Sequence, residues 1–316
     1  MKSLKVVFFG TPEFAKESLS AIHQSVHDVV GVVTVADKAS GRGQKIQQSP
    51  VKTYAVANGL PVFQPEKLRN PEFLEQMRAL NADVFVVVAF RMMPKILFEM
   101  PRLGTFNLHA SLLPDYRGAA PINYAIINGE KKTGATTFFI NEKIDEGNIL
   151  LQDEVQISAE DDAGSLHDKL MDLGAKLVVE TLNGLANHSL MEKPQPEAEF
   201  QKNAFKIFKE DTRINWNQTS ESIYNFVRGM SPYPASFTSI RIRNELKTLK
   251  IYKGSYEKQT HSLKPGTLEI SKSGFRIYTA DGFYLPQEIQ LEGKKRMNLK
   301  DFLNGFRDFE DISLAD

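Results

Sequence analysis

Three short apolar runs in the first third of the chain limit its fold more than any other feature. They span residues 4–9, 28–35 and 83–90, and they are rich in Val and Phe without alternating with polar residues. Such runs indicate strands buried on both faces of a parallel sheet. Helical stretches between them, at about 12–23 and 71–80, supply the crossovers. The sequence therefore predicts an α/β domain with a Rossmann-like, mostly parallel sheet and helices on both faces.

The turn after the first strand excludes one common function of such a sheet. Only Gly10 is present where a dinucleotide fingerprint requires Gly-x-Gly-x-x-Gly. The glycines of that fingerprint let the backbone approach a pyrophosphate closely. We therefore do not expect a dinucleotide cradle at this turn.

The second half of the chain has a different pattern, with five short strands at even spacing, at 236–243, 247–253, 265–270, 274–279 and 283–291. This spacing is typical of a small β-barrel of the oligonucleotide-binding type. A polar stretch with Pro194 and Pro196 precedes it and has no periodicity. We predict a first domain at 1–186, a linker at 187–204 and a carboxyl-terminal barrel domain at 205–316.

Composition narrows the chemistry. The chain has no cysteine, which excludes disulfides, thiolate catalysis and thiolate metal sites. Among its six histidines, His23 and His27 are four residues apart but lack the flanking Glu pattern of a zinc-binding helix, so we expect no metal. No apolar run is long enough to cross a bilayer, and we expect a soluble, cytoplasmic monomer without membrane contact.

Charge is distributed unevenly along the chain. Residues 205–316 carry 18 basic against 14 acidic residues, whereas the rest carries 21 against 25. This mild excess is compatible with a nucleic-acid ligand without requiring one.

The stretch from Phe106 to Pro121 carries the candidate site. Asn107 and His109 are two positions apart in a predicted strand, so their side chains point the same way. Pro114 and Gly118 turn the chain out of the sheet directly afterwards, at the carboxyl edge where open α/β sheets bind ligands. A single histidine at a strand end is more often a hydrogen-bonded structural residue than a catalyst, so this pair alone leaves both readings open.

The whole stretch, together with an Asp about 35 residues later, resembles the signature of the folate-dependent formyltransferases. The resemblance implies three catalytic residues, Asn107, His109 and Asp145. It also implies 10-formyltetrahydrofolate as co-substrate. The residues expected to contact it are Ser111, Leu112, Leu113 and Pro114 of the turn, and Phe90, Arg91 and Met92, whose backbone would receive the pteridine ring.

Two basic segments narrow the resemblance to the methionyl-tRNA formyltransferases. The loop at 36–50 looks like the insertion with which that family grips the tRNA acceptor stem, and the barrel carries a similar Gly-Lys-Lys-Arg-Met stretch. The tRNA-binding residues implied are Lys38, Arg42, Lys45, Lys294, Lys295 and Arg296. The resemblance thus implies initiator methionyl-tRNA as partner and formylation of its free amino group as the activity.

Two alternatives stay open at this point. The same chemistry could act on an amino-sugar nucleotide or on glycinamide ribonucleotide, or the chain could be a non-catalytic RNA-binding module. Formyl transfer passes through a tetrahedral intermediate with a negatively charged oxygen, which an Asn amide and an imidazolium can stabilise. A nearby carboxylate could relay the protons that the amine loses and the folate gains. The Asn, His and Asp set therefore favours an enzyme.

Overall fold

The structure is a computed structural model that describes residues 2–40, 45–196, 202–271, 274–305 and 312–315. The helices are α1 (Glu13–His23), α2 (Pro50–Ala57), α3 (Pro71–Ala79), α4 (Lys95–Phe98), α5 (Pro121–Ile127), α6 (Ala163–Ala186), α7 (Ser220–Met230) and α8 (Leu299–Leu303). The first ten strands are β1 (Lys5–Gly10), β2 (Asp28–Val33), β3 (Lys38–Ser40), β4 (Lys45–Gln47), β5 (Val62–Phe63), β6 (Val84–Val88), β7 (Thr105–His109), β8 (Arg117–Gly118), β9 (Lys132–Phe139) and β10 (Ile149–Gln156). The remaining strands are β11 (Asn203–Ala204), β12 (Ser236–Ile242), β13 (Glu245–Lys258), β14 (Leu268–Ser271), β15 (Gly274–Tyr278), β16 (Gly282–Leu291), β17 (Met297–Asn298) and β18 (Ile312–Leu314).

The chain divides into two compact units. The first comprises residues 1–118, 132–155 and 167–203, and the second comprises 119–131, 156–166 and 204–316. The functional division predicted above, with boundaries at 186 and 205, stays a prediction.

A seven-stranded sheet with the order β10-β9-β7-β6-β1-β2-β5 forms the first unit. Strands β1, β2, β5, β6 and β7 pair in parallel, whereas β9 runs antiparallel to β7. Neighbouring residues of β1, such as Phe8 and Phe9, point to opposite faces, and both side chains are completely buried. The predicted Rossmann-like, mostly parallel sheet is confirmed.

Helix starts in this unit follow local side-chain chemistry. The Ser49 hydroxyl accepts a hydrogen bond from the Lys52 backbone N–H at 3.0 Å, and Pro50 occupies the first turn of α2. Helix α3 begins in the same way, where the Asn70 side chain accepts from the Glu72 N–H at 2.9 Å. These caps supply partners for amide groups that a helix start leaves unpaired.

The second unit contains the predicted barrel. Its sheet has the order β14-β15-β16-β13-β12-β18, with β17 added at β16, and the edge strands β14 and β18 approach each other so that the sheet nearly closes. Helix α7 packs on the sheet and contributes Ile223 and Val227 to the core. Trp216 is buried there, and its indole N–H donates to the Thr238 hydroxyl at 3.0 Å.

Several elements differ from the predicted ones, and two of the differences have a clear physical reason. Strand β13 runs from Glu245 to Lys258, well beyond the predicted 247–253, because two register irregularities at Ile251–Gly254 bend it instead of ending it. Strand β6 ends at Val88, two residues earlier than predicted, because Ala89 adopts a left-handed backbone conformation.

Candidate active site

Strand β7 places the first two predicted catalytic residues. It lies between β6, where Val87 is opposite Asn107, and β9, where Thr136 is opposite His109. Asn107 and His109 are alternate residues of one strand, so their side chains share a face of the sheet. His109 is buried and Asn107 is half-buried. Within the described ranges, the Asn107 side chain has no hydrogen-bond partner, so its amide can serve a ligand.

The two ring nitrogens of His109 have different surroundings. Nε2 lies 2.8 Å from the backbone carbonyl oxygen of Tyr116. A carbonyl only accepts, so Nε2 carries a hydrogen and donates it. Nδ1 faces Asp145, with 3.8 Å between Nδ1 and the carboxylate Oδ2. The ring is thus fixed from one side and presents its other nitrogen to the carboxylate.

Asp145 belongs to the turn between β9 and β10. Its carboxylate Oδ2 accepts a hydrogen bond from the Gly118 backbone N–H at 3.0 Å. Its backbone is left-handed, with φ of 55°, a conformation that Asp tolerates better than most residues. Gly147 follows in the same turn, and a Cβ there would lie only 1.6 Å from the Phe139 carbonyl oxygen. The Asp-x-Gly pattern therefore has a steric reason.

The structure thus brings His109 and Asp145 together, and it places Asn107 on the same face of β7 as His109. His109 ends a strand and Asp145 lies in a polar turn far along the chain, yet their side chains are within ion-pair distance of each other. The catalytic roles stay predictions, but the geometric condition for them is met.

The predicted folate-binding turn is held by an internal hydrogen-bond network. The Ser111 hydroxyl is completely buried and donates to the Asp115 carbonyl at 2.6 Å, so it shapes the turn from inside. Thr136 donates to the Ser111 carbonyl at 2.6 Å and accepts from the Leu113 N–H at 3.1 Å. Leu113 is buried, whereas Leu112 and Pro114 are half-buried. We therefore expect a ligand to meet the latter two rather than the Ser111 hydroxyl.

The other predicted folate-binding residues follow β6. The Phe90 ring packs edge-on against Phe9, with 5.7 Å between ring centroids. Arg91 donates to the backbone carbonyls of Pro65 and Glu66, so its guanidinium links this segment to the loop between β5 and α3. Met92 is 73% exposed, and a ligand could therefore reach it.

The predicted tRNA-binding loop is described only in part. Lys38 and Lys45 lie on β3 and β4, which form a two-stranded antiparallel ribbon, and Arg42 lies outside the described residues. At the base of the loop, Asp37 accepts hydrogen bonds from Lys52 and Gln64, and the Lys52 hydrogen bond lowers the pKa of the Asp37 carboxyl.

The basic residues of the barrel differ in their freedom. Lys294 and Lys295 are exposed in the turn after β16. Arg296 instead forms two hydrogen bonds with the Glu288 carboxylate, at 2.6 and 2.8 Å, and stacks 4.1 Å above the Tyr252 ring. Its hydrogen bond lowers the pKa of Glu288. Arg296 is therefore engaged within the barrel, and the two lysines are the better candidates for phosphate contact.

Gln195 is a residue of the site that sequence reasoning missed. It lies in the stretch predicted as a linker, and its side-chain amide donates to the carbonyls of Asp145, at 2.8 Å, and Gly147, at 2.9 Å. No local pattern marks it, because the contact joins segments 50 residues apart.

Two kinds of feature are absent from the part of the chain that the structure describes. In those ranges no group of three or more His, Cys, Asp or Glu side chains is arranged to hold a metal ion. Over the same residues, no helix combines the length and the apolar character that a membrane span requires.

Comparison with known proteins identifies the family of this chain. The formyl transferase family model matches residues 4–182, and the model of the formyl transferase carboxyl-terminal domain matches 206–307. The chain therefore belongs to the formyl transferase family.

Within this family, the chain is similar to proteins named methionyl-tRNA formyltransferase, which confirms the predicted resemblance. One from Flavobacterium johnsoniae is 48% identical over 96% of this chain and 97% of its own. Another from Parabacteroides distasonis is 48% identical over 99% of both chains.

Solved structures support the fold. An N-formyltransferase from Helicobacter canadensis, in complex with folinic acid and dTDP-3-aminofucose, matches with a TM-score of 0.66 and 22% identity. The match covers 93% of this chain and all of that chain. At this identity, the similarity extends to the fold alone.

Proposed function

We propose that this protein transfers the formyl group of 10-formyltetrahydrofolate to the amino group of methionine carried by initiator tRNA. The observation that carries the proposal is the 3.8 Å distance between His109 Nδ1 and the Asp145 carboxylate, with Asn107 on the same strand face as His109. Relatives at 48% identity over nearly the full length carry the name of this activity.

The reaction makes one bond and breaks another. The amine nitrogen attacks the formyl carbon, and the carbonyl oxygen takes the negative charge of the tetrahedral intermediate. The bond from this carbon to the folate nitrogen then breaks, the amine loses a proton and the folate nitrogen gains one. Asn107 would donate to the oxygen, and a protonated His109 would stabilise it. Removing one such donor typically reduces kcat by about 10²- to 10³-fold.

The hydrogen bonds of His109 support Nδ1 as the ring nitrogen that takes part in the reaction. Nε2 donates to the Tyr116 carbonyl, so Nδ1 is the nitrogen available to the substrate. A 3.8 Å gap is too long for a direct hydrogen bond between Nδ1 and Asp145. An oxygen or nitrogen atom placed about 2.8 Å from both would fit at the apex between them. A water or the attacking amine in that place would pass its proton to the neutral ring, and the protonated His109 that results would then stabilise the oxyanion.

The substrates would be held by the groups named above. The folate would lie against the turn at 111–114 and the segment at 90–92, where Leu112, Pro114 and Met92 are accessible. The tRNA phosphates would meet Lys38, Arg42 and Lys45 of the loop and the exposed Lys294 and Lys295 of the barrel. Phosphate contacts of this kind supply affinity and fix orientation without reading sequence.

An amino-sugar nucleotide is the second candidate acceptor, because a protein of the same fold was solved with dTDP-3-aminofucose. A single assay separates the two candidates. The purified protein is incubated with 10-formyltetrahydrofolate and either charged initiator tRNA, free methionine or dTDP-3-aminofucose. We expect formylation of methionyl-tRNA and little reaction with the other two. Preferential formylation of the amino sugar would overturn the proposed acceptor.

Variants of β7 test the proposed catalytic residues. His109→Ala and Asn107→Ala should each lower kcat by about two orders of magnitude or more. Near wild-type formylation by either folded variant would exclude that residue from the catalytic set.

A further inference from the structure

The side chain of Gln195 holds the turn that carries Asp145. Its Nε2 atom donates to two backbone carbonyls of that turn, at Asp145 and Gly147. Its Oε1 atom accepts from the Arg117 guanidinium, at 3.1 Å from Nε and 2.6 Å from Nη2. Every hydrogen-bonding position that this amide offers toward the site is therefore used.

Arg117 fixes the orientation of the Gln195 amide. A guanidinium only donates and a backbone carbonyl only accepts, so the amide oxygen must face Arg117 and its nitrogen must face the turn. Arg117 is also 3.4 Å from the carboxylate of Glu146, the residue between Asp145 and Gly147. One arginine thus reaches the turn both directly and through Gln195.

The turn requires such support because its backbone is constrained. Asp145 is left-handed, a conformation in which non-glycine residues are held only when their surroundings determine it. Gly147 packs against the Phe139 carbonyl so closely that no side chain fits. A shift of the turn would move the Asp145 carboxylate relative to His109.

Residues 116–118 connect Gln195 to both His109 and Asp145. The Tyr116 carbonyl accepts from His109, the Gly118 N–H donates to the Asp145 carboxylate, and Arg117 between them binds Gln195. The position of Gln195 is therefore coupled to the distance between the imidazole and the carboxylate.

We propose that Gln195 is a positioning residue for formyl transfer, which holds the Asp145 carboxylate against His109 through the carbonyls of the turn. This inference rests on the proposed function, because it assumes that Asp145 takes part in the reaction. Gln195 itself need not contact either substrate.

Two substitutions and one control test the proposal. Gln195→Ala removes the amide, and Gln195→Glu keeps an acceptor for Arg117 but presents no donor to the two carbonyls. Glu192→Ala is the matched control, because Glu192 lies on the same segment and accepts from Asn148 at 2.9 Å, at the far end of the turn. Both Gln195 variants should lower kcat roughly 10- to 100-fold, the effect expected of an ångström-scale displacement. The KM values should stay within about twofold, and Glu192→Ala should keep its kcat.

A double substitution separates positioning from general stability. Gln195→Ala added to Asp145→Asn should lower kcat little further, because the group that Gln195 positions is already lost. Independent, multiplied losses would overturn the proposal, and so would a wild-type kcat in Gln195→Ala when Asp145→Asn is impaired. Full activity of Asp145→Asn would instead overturn the role of Asp145 in the proposed function, and with it the positioning role of Gln195. Thermal unfolding of each variant checks that it is folded.

Discussion

The Nδ1 atom of His109 lies 3.8 Å from the Oδ2 atom of Asp145, and only 8% and 16% of the two side chains are exposed. Partial burial strengthens the attraction between an imidazolium and a carboxylate, because less water screens it. Each member of the pair is held by a backbone group, since His109 donates to the Tyr116 carbonyl and Asp145 accepts from the Gly118 N–H. The carboxylate therefore faces Nδ1 of the ring without being its direct hydrogen-bond partner.

Asp145→Asn should lower kcat by about 10²- to 10³-fold and change the KM for tRNA little. The amide keeps the size of the side chain and can still accept from Gly118, but it removes the negative charge that faces His109. Steady-state formylation over a range of tRNA concentrations measures both constants. Asp172→Asn, at an exposed position of α6, is the control. Equal kcat values for the two variants would contradict the role of Asp145.

Gly147→Ala tests the packing of the same turn. The added methyl group would fall 1.6 Å from the Phe139 carbonyl oxygen, so the turn must move. We expect a loss of kcat of about 100-fold from the displaced carboxylate. Gly305→Ala adds a methyl group no closer than 3.2 Å to the nearest atom and should be close to wild type. If Gly147→Ala keeps full kcat, the turn is less constrained than its contacts indicate.

His27 predicts a dependence of stability on pH. It is 5% exposed, its Nδ1 accepts from the Leu4 N–H at 3.3 Å, and its Nε2 donates to Asn183 at 3.2 Å. Burial lowers the pKa of this imidazole, although the Asn183 hydrogen bond opposes the shift. When the pH falls below about 6.5, the ordinary pKa of histidine, His27 is protonated in the unfolded chain but stays neutral in the folded chain. Stability should therefore fall as pH drops below that value and level off below the lowered folded pKa.

Urea unfolding at pH 7.5 and at pH 5.5 measures this effect. The contribution of one such proton is at most about 1.4 kcal/mol per pH unit. His27→Gln keeps a hydrogen-bonding side chain but cannot be protonated, so its free energy of unfolding should depend less steeply on pH. His188→Asn is the control, because His188 is exposed and Asn suits its left-handed backbone. Parallel pH curves for wild type and His27→Gln would contradict the assignment.

Patterns within one segment predicted much of the fold. Continuous apolar runs predicted the parallel strands β1, β2 and β6, because burial on both faces leaves no polar positions. The alternation of Asn107 and His109 followed from strand geometry alone. The short helix α4 (Lys95–Phe98) was missed, since four residues carry no recognisable period.

Contacts between distant segments were not predictable in the same way. The antiparallel direction of β9 depends on how the chain returns to the sheet, which its own composition does not encode. Gln195 joins a turn 50 residues away, and nothing near it in sequence distinguishes it from a linker residue. Asp145 was found only through family resemblance, because an Asp in a polar loop is usually a turn former.

The barrel supplies the last prediction, a contrast between neighbouring basic residues. Lys295 is exposed, whereas Arg296 binds Glu288 and stacks on Tyr252. If tRNA phosphates meet this turn, Lys295→Ala should weaken binding and reduce the slope of log affinity against log salt concentration by about one. Arg296→Ala should change that slope less and instead lower the free energy of unfolding by up to about 1 kcal/mol. Binding titrations from 50 to about 200 mM salt, the range over which phosphate contacts weaken strongly, and urea unfolding measure the two effects. A larger loss of salt dependence in Arg296→Ala would show that its ion pair opens to bind RNA.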